Sequence, residues 1–195
     1  KIIFDAGTLV FPISYIFGDI LTEVYGYQRA RRVIWAGFGA MILFGFFIWL
    51  AGILPGEDQW DADVGQNSYS LILGGFPGLI FASLTAYWIG NFSNSYVMAK
   101  MKVFLQGRFV WLRTIFSTLI GQGVDTTSFI LIATLLGVFP PEIIVPLIAT
   151  NYLLKVSIEV IMTPITLQAI KFLKDAEQED YYDRETNFNP FQIGV

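Results

Sequence analysis

Histidine and cysteine are absent from this chain of 195 residues, and charged residues make up only 14% of it. Without histidine there is no imidazole to work as an acid or base near neutral pH. Without cysteine there is no thiol nucleophile, no disulfide and none of the usual zinc sites. The redox compartment is unreadable for the same reason. A soluble domain carries about 25% charged residues. Here 54% of residues are hydrophobic and the mean hydropathy is +0.58, which leaves too little polar surface to coat a water-soluble globule. A soluble enzyme is thereby excluded. The net charge of −4 argues against a nucleic-acid partner. It does not argue against a membrane, where the placement of charges matters more than their sum.

Long apolar runs replace the missing polar surface. A spanning helix needs about 20 mostly apolar residues. Val33 to Leu54 holds no charge, and the apolar heart of the next run is Leu71 to Gly90. Thr114 to Val138 holds only Asp125, and Ile143 to Ile170 holds Lys155 and Glu159. A weaker run, Ala6 to Tyr25, is interrupted by Pro12 and Gly18 and carries Asp19 and Glu23. The pattern predicts an all-α polytopic membrane bundle over 1–174, with helices near 6–25, 33–54, 69–95, 112–138 and 142–173. An acidic tail, 175–195, follows as a surface segment, partly disordered. Solid apolar runs, rather than alternation over about ten residues, exclude transmembrane strands.

The loops orient the bundle. Arg29, Arg31 and Arg32 follow the first run, and Lys100, Lys102, Arg108 and Arg113 follow the third. Lys171 and Lys174 follow the last, whereas Glu57, Asp58, Asp61 and Asp63 crowd the connection after the second. Basic residues collect on the cytoplasmic side. Both basic loops and the C-terminus are therefore expected inside, and Lys1 outside. An outside start with five spans is explained by a sixth helix in the parent protein, N-terminal to Lys1.

An ionisable group within the bilayer costs several kcal/mol unless it is paired or hydrated, so it marks function by default. Asp19, Glu23, Asp125, Lys155 and Glu159 are such groups. Asp125 lies about 18 Å in from Arg113 at 1.5 Å per residue, and Glu159 lies as far from Lys171. Lys155 sits one turn from Glu159 on the same helix face. A purely structural role, with Lys155 pairing to Glu159 or Asp125, is the competing reading. Four acids against one base favour function, because a closed apolar bundle cannot hold that excess unless some acids are protonated, hydrated or bound to a ligand. Asn91, Gln122 and Asn151 are the polar neighbours least easily explained by local backbone bonding. Tyr15, Phe17, Tyr87, Trp88 and Tyr152 lie at depths where they could line a cavity. Carboxylates, amides, one ammonium and aromatic faces suit a flat polar heterocycle with an N–H edge and a ring carbonyl.

Three stretches carry a resemblance. Phe11-Pro-Ile-Ser-Tyr-Ile-Phe-Gly-Asp-Ile-Leu-Thr-Glu-Val-Tyr-Gly26 with the arginines after it, Ser117-Thr-Leu-Ile-Gly-Gln-Gly-Val-Asp-Thr126 and Asn151-Tyr-Leu-Leu-Lys-Val-Ser-Ile-Glu159 closely resemble the queuosine-precursor transporter family. The tail Tyr182-Asp-Arg-Glu-Thr-Asn-Phe-Asn-Pro-Phe191 is similar too. The resemblance implies a six-helix importer of 7-cyano- or 7-aminomethyl-7-deazaguanine in a prokaryotic inner membrane. It implies substrate contacts among Asp19, Glu23, Asn91, Gln122, Asp125, Asn151, Lys155 and Glu159. In that picture the acids meet the N–H edge, and Lys155 or Asn151 meets the carbonyl. No catalytic residue, metal or cofactor is expected. The partners are the small-molecule substrate and the bilayer, with no nucleic acid. A homo-oligomer and a separate energising module stay open. The chain has no Gly-rich Lys phosphate motif of its own. The alternative is the substrate-binding membrane subunit of an ATP-driven vitamin importer. An intramembrane aspartyl enzyme lacks a second catalytic Asp at matching depth. A purely structural subunit has no need of a wet centre.

Overall fold

The computed structural model describes residues 6–9 and 11–192. A 3-10 turn, Ala6–Leu9, leads into α1 (Phe11–Tyr25). Next come α2 (Tyr27–Ile53), the short α3 (Asp58–Asp63) and α4 (Gly65–Leu73), α5 (Phe76–Phe104) and α6 (Val110–Leu135). After a second 3-10 turn, Pro141–Ile143, α7 (Ile144–Glu177) completes the bundle. Four segments are long and apolar enough to cross a membrane: Tyr27–Ile53, Gly65–Phe104, Val110–Leu135 and Pro141–Glu177. Large apolar side chains such as Leu43, Phe44, Phe47 and Trp49 on α2 are exposed, as a lipid-facing surface requires.

The weak first run behaves differently. α1 has 15 residues and rises only about 22 Å, short of a hydrocarbon core of about 30 Å. It is nevertheless deeply enclosed: Tyr15, Asp19, Thr22, Glu23 and Val24 are fully buried. α1 packs against α2, α5 and α7, while α6 closes the ring between α5 and α7. Tyr15, Asp19 and Glu23 recur every four residues and so form one polar stripe. That stripe runs through the protein interior because turning it to lipid would strand its polar groups.

Two glycines let the helices close around the stripe. A Cβ on Gly90 would lie 2.6 Å from the Asp125 Cβ and 2.7 Å from the Tyr15 Oη. One on Gly121 would lie 2.7 Å from the Asn94 Cβ and 3.0 Å from the Tyr15 ring. Only a bare backbone permits this approach, the general use of small residues between membrane helices. Gly121→Ala is expected to destabilise the protein by about 1–3 kcal/mol through overpacking, read as a lower unfolding temperature in detergent. An unchanged temperature would mean that the α5–α6 crossing is not close-packed there.

Helix boundaries shift from those expected. The arginine-bearing connection 26–32 shrinks to Gly26 alone, and α2 begins at Tyr27. The third run bends at Gly74 and Gly75 and continues to Phe104, well past 95. The tail lies largely on the surface, and residues 178–192 fold back over the basic end of the bundle. Asp183 accepts from the Tyr27 backbone N–H at 3.0 Å, capping a helix whose own N-cap, Gly26, has no side chain to offer. The Arg31 guanidinium donates to the carbonyls of Asn187 and Asn189, both at 2.9 Å. The Trp35 indole donates to the Pro190 carbonyl at 2.8 Å. Phe188 packs on Tyr27 and Tyr96, and Phe191 on Trp35 and Trp88. The tail's scarcity of aliphatics hid its use of aromatic rings and one capping carboxylate.

Candidate functional site

Helices α6 and α7, joined by a short turn, bring Asp125 and Lys155 together. The Lys155 ammonium donates to the Asp125 Oδ2 at 2.9 Å, and both side chains are buried. Of the two pairings open from sequence, Lys155 thus takes Asp125 rather than Glu159. The pair lines a cavity of about 380 Å³, with the rings of Tyr87 and Phe129 and the hydroxyls of Ser14 and Ser83 on its other walls. Small-molecule sites span about 300–1,000 Å³. Gly7 and Ser14, both exposed, also line the cavity.

Polar groups continue one turn further toward the basic end. Gln122 precedes Asp125 by three residues on α6, and Glu159 follows Lys155 by four on α7. Antiparallel packing sets both at the next level on the same faces. From α1, the Tyr15 hydroxyl lies within electrostatic range of Asp125, Asp19 and Glu159. Asp19 and Glu159 lie within range of each other. The Asn94 amide donates to the Asp19 Oδ1 at 2.7 Å. The other Asp19 oxygen, both Glu159 oxygens and both polar atoms of Gln122 are buried without a protein hydrogen-bond partner. Each such atom costs about 1–3 kcal/mol. A cluster of them is expensive as architecture and useful as a hydrogen-bonding surface for a guest.

The remaining candidates sit around this centre. Asn151 is buried and accepts from the Thr8 hydroxyl at 2.7 Å. Asn91 donates to the Tyr87 carbonyl of its own helix at 2.8 Å and lines a second cavity of about 250 Å³. Ser14 and Tyr87 line both cavities. Trp88 belongs to the aromatic cluster under the tail rather than to the site. Tyr152 donates to the Leu119 carbonyl at 3.3 Å, and Phe17 is largely exposed.

Glu23 sits apart from the cavity lining, in a cluster of ion pairs toward the basic end. Arg113 holds both of its carboxylate oxygens, with Nε at 2.8 Å from one of them. Lys174 donates to it at 2.6 Å, and Lys102 stands 3.6 Å away. Asp180 from the tail then bridges Lys102 at 2.6 Å and Lys174 at 2.7 Å. The hub ties α1, α5, α6, α7 and the tail together. Sequence reading had counted Lys102 and Arg113 as loop bases; both are buried, because α5 and α6 extend far enough to carry them inward.

The outer member of the hub predicts a pH response. Burial disfavours the charged form of Asp180, but hydrogen bonds from Lys102 and Lys174 outweigh it and hold its carboxyl below the usual range. An unfolded Asp titrates near about 3.9. A folded-state value below that adds stability that is complete above it and lost as pH falls through the folded value. The tail should therefore stay docked at neutral and mildly acidic pH and release only below about pH 4. Protease cleavage within 178–192 as a function of pH checks this; release near neutrality would contradict it.

Among the described residues no three of Asp, Glu, His or Cys converge as metal ligands. Residues 5–169 match the family described as "Putative vitamin uptake transporter". The chain is 28% identical over 173 residues to the "Probable queuosine precursor transporter" of Bacillus subtilis (strain 168), covering 88% of this chain and 74% of that one. It is 27% identical over 127 residues to the "Queuosine precursor transporter" of Escherichia coli (strain K12), covering 65% of this chain and 53% of that one. No solved structure matches the chain. A family match across residues 5–169, on a helical bundle with four membrane-length apolar segments, places this chain in the vitamin uptake transporter family of integral membrane proteins.

Proposed function

We propose that the chain imports 7-deazaguanine precursors of queuosine through the polar centre of the bundle. The observation that carries this is the group of buried, unpartnered polar atoms on Asp19, Gln122 and Glu159, set one turn below the Asp125–Lys155 cavity. A 7-deazaguanine ring presents an N–H/NH₂ edge that a carboxyl or amide oxygen accepts, and a carbonyl that an ammonium or amide N–H meets. Glu159 and Gln122 suit the first edge and Lys155 the carbonyl. The ring faces of Tyr87 and Phe129 supply flat apolar walls. The names of the two relatives support the substrate class. A cationic aminomethyl substituent would find excess acid, and a cyano substituent would not need it. The basic loops, the hub and the C-terminus lie on the cytoplasmic side in this assignment, in a prokaryotic plasma membrane.

Equilibrium binding of 7-cyano- and 7-aminomethyl-7-deazaguanine to purified protein, with guanine as competitor, tests the site. Saturable binding of at least one deazaguanine is expected, and its absence for both would overturn the assignment. Uptake into liposomes holding this chain alone separates facilitated or secondary transport from service as the binding subunit of an ATP-driven importer. Uptake without a partner is expected. Binding without uptake would favour the subunit.

A further inference from the structure

Asp19 and Glu159 create an electrostatic problem at the centre of the bundle. Among the described residues, Asp125 is matched by Lys155 at 2.9 Å, and Glu23, one turn toward the basic end from Asp19, by Arg113 and Lys174. Asp19 is 0% exposed and Glu159 1%, and the two act on each other electrostatically. The groups that face them are Tyr15 and Glu23 from α1, the Asn94 amide from α5, and Gln122 and Asp125 from α6. Lys155, one turn away on α7, bonds Asp125. No cation pairs with either carboxyl among the described residues. Two adjacent negative charges in an apolar bundle cost several kcal/mol each. Neighbouring buried carboxyls exchange protons as a coupled pair.

Their place in the fold makes the exchange directional. On one side, the Tyr15 hydroxyl stands within range of both carboxyls and of Asp125, which lines the cavity together with the exposed Gly7 and Ser14. On the other, Asp19 lies one helical turn from Glu23 and the hub that closes the basic end. We propose that the Asp19–Glu159 pair is a proton-coupling site, and that the chain is a proton–solute symporter. The pair takes up a proton from the side onto which the Asp125–Lys155 cavity opens. The closed state forms only with pair and guest together neutral. The proton leaves for the opposite side in the same cycle, when the hub parts. The balance is one proton bound and one released, with no other bond made or broken. This rests on the transport assignment above.

Liposomes holding the purified chain, with the membrane potential clamped, test it using uncharged 7-cyano-7-deazaguanine as the probe. A gradient of one pH unit, acid outside, supports accumulation of up to about tenfold at one proton per solute. Accumulation abolished by a protonophore, with acidification of the lumen when solute is added, is expected. The readout is the ratio of uptake with and without the gradient in each variant, so a change in affinity does not enter. That ratio falls to one in Glu159→Gln and in Asp19→Asn, and is unchanged in Glu142→Gln, an exposed acid far from the pair. Normal binding and downhill uptake with no response of the unsubstituted protein to the gradient would overturn the coupling and leave the binding site standing. Absence of binding would overturn both.

Discussion

Glu23→Ala lowers the stability of the detergent-solubilised protein by about 3–5 kcal/mol, the cost of removing one partner from a buried charge network. The loss is large because three cations depend on this carboxylate. Arg113 and Lys102 are buried and Lys174 partly so, and Asp180 would remain as the carboxylate of the two lysines, with the Glu23 and Tyr181 carbonyls still on Lys102. Arg113 would keep its bond to the Arg108 carbonyl at 2.8 Å but lose both carboxylate contacts. Thermal unfolding followed by size-exclusion profile gives the measurement. Asp180→Asn should cost far less, since the Asp180 side chain is 44% exposed and surface pairs contribute little. Equal unfolding temperatures for Glu23→Ala and the unsubstituted protein would mean that water reaches the hub, and that it is not the closed inner end described above.

Lys155→Ala weakens substrate binding by about a hundredfold or more, equivalent to about 2.7 kcal/mol. One charge-assisted donor is lost, and the buried Asp125 on the cavity wall loses its ion pair with Lys155. Asp125→Asn does the reverse, leaving the ammonium without its partner at 2.9 Å. Because the two side chains bond each other, their effects should not add. The combined Asp125→Asn, Lys155→Ala protein is expected to bind better than the sum of the single losses predicts. Binding measured by equilibrium titration on protein that still elutes as a folded species provides the check. Unaltered binding in both single variants would remove the pair from the site and leave it the structural clasp weighed against function from the sequence.

The contrast between these two clusters explains what the sequence revealed. Asp125, Lys155 and Glu159 announce themselves because each interrupts an apolar run, and a charge there has no innocent explanation. Helical rise alone set Asp125 and Lys155 near one depth, and the ion pair bears that level out. Lys102 and Arg113 gave no such signal. They sit at the edge of basic stretches, where the same residue serves equally as a loop charge or as the end of a longer helix. Which one holds depends on Glu23, 90 residues from Arg113 in the chain. The bond from Asn94 to Asp19 links positions 75 residues apart, which no local pattern reveals. The contacts of the tail are not legible from composition, which counts aliphatics, because Phe188, Phe191 and Asp183 act through ring packing and a helix cap.

The sequence by itself determined the solvent of this protein and its class. Missing polar surface, apolar runs of membrane length and the placement of bases follow from transfer free energy, which is a sum over residues and needs no partner. It also determined which charges are anomalous. Only the tertiary structure decided how those charges sort: Asp125 with Lys155, Glu23 with three cations and the tail, and Asp19 within range of Glu159 with no paired cation among the described residues. The physical reason is that pairing energy falls steeply with distance in a weakly screening interior. A difference of one helical turn in how α1 meets α5, α6 and α7 therefore decides whether an acid is a structural clasp or an open binding group.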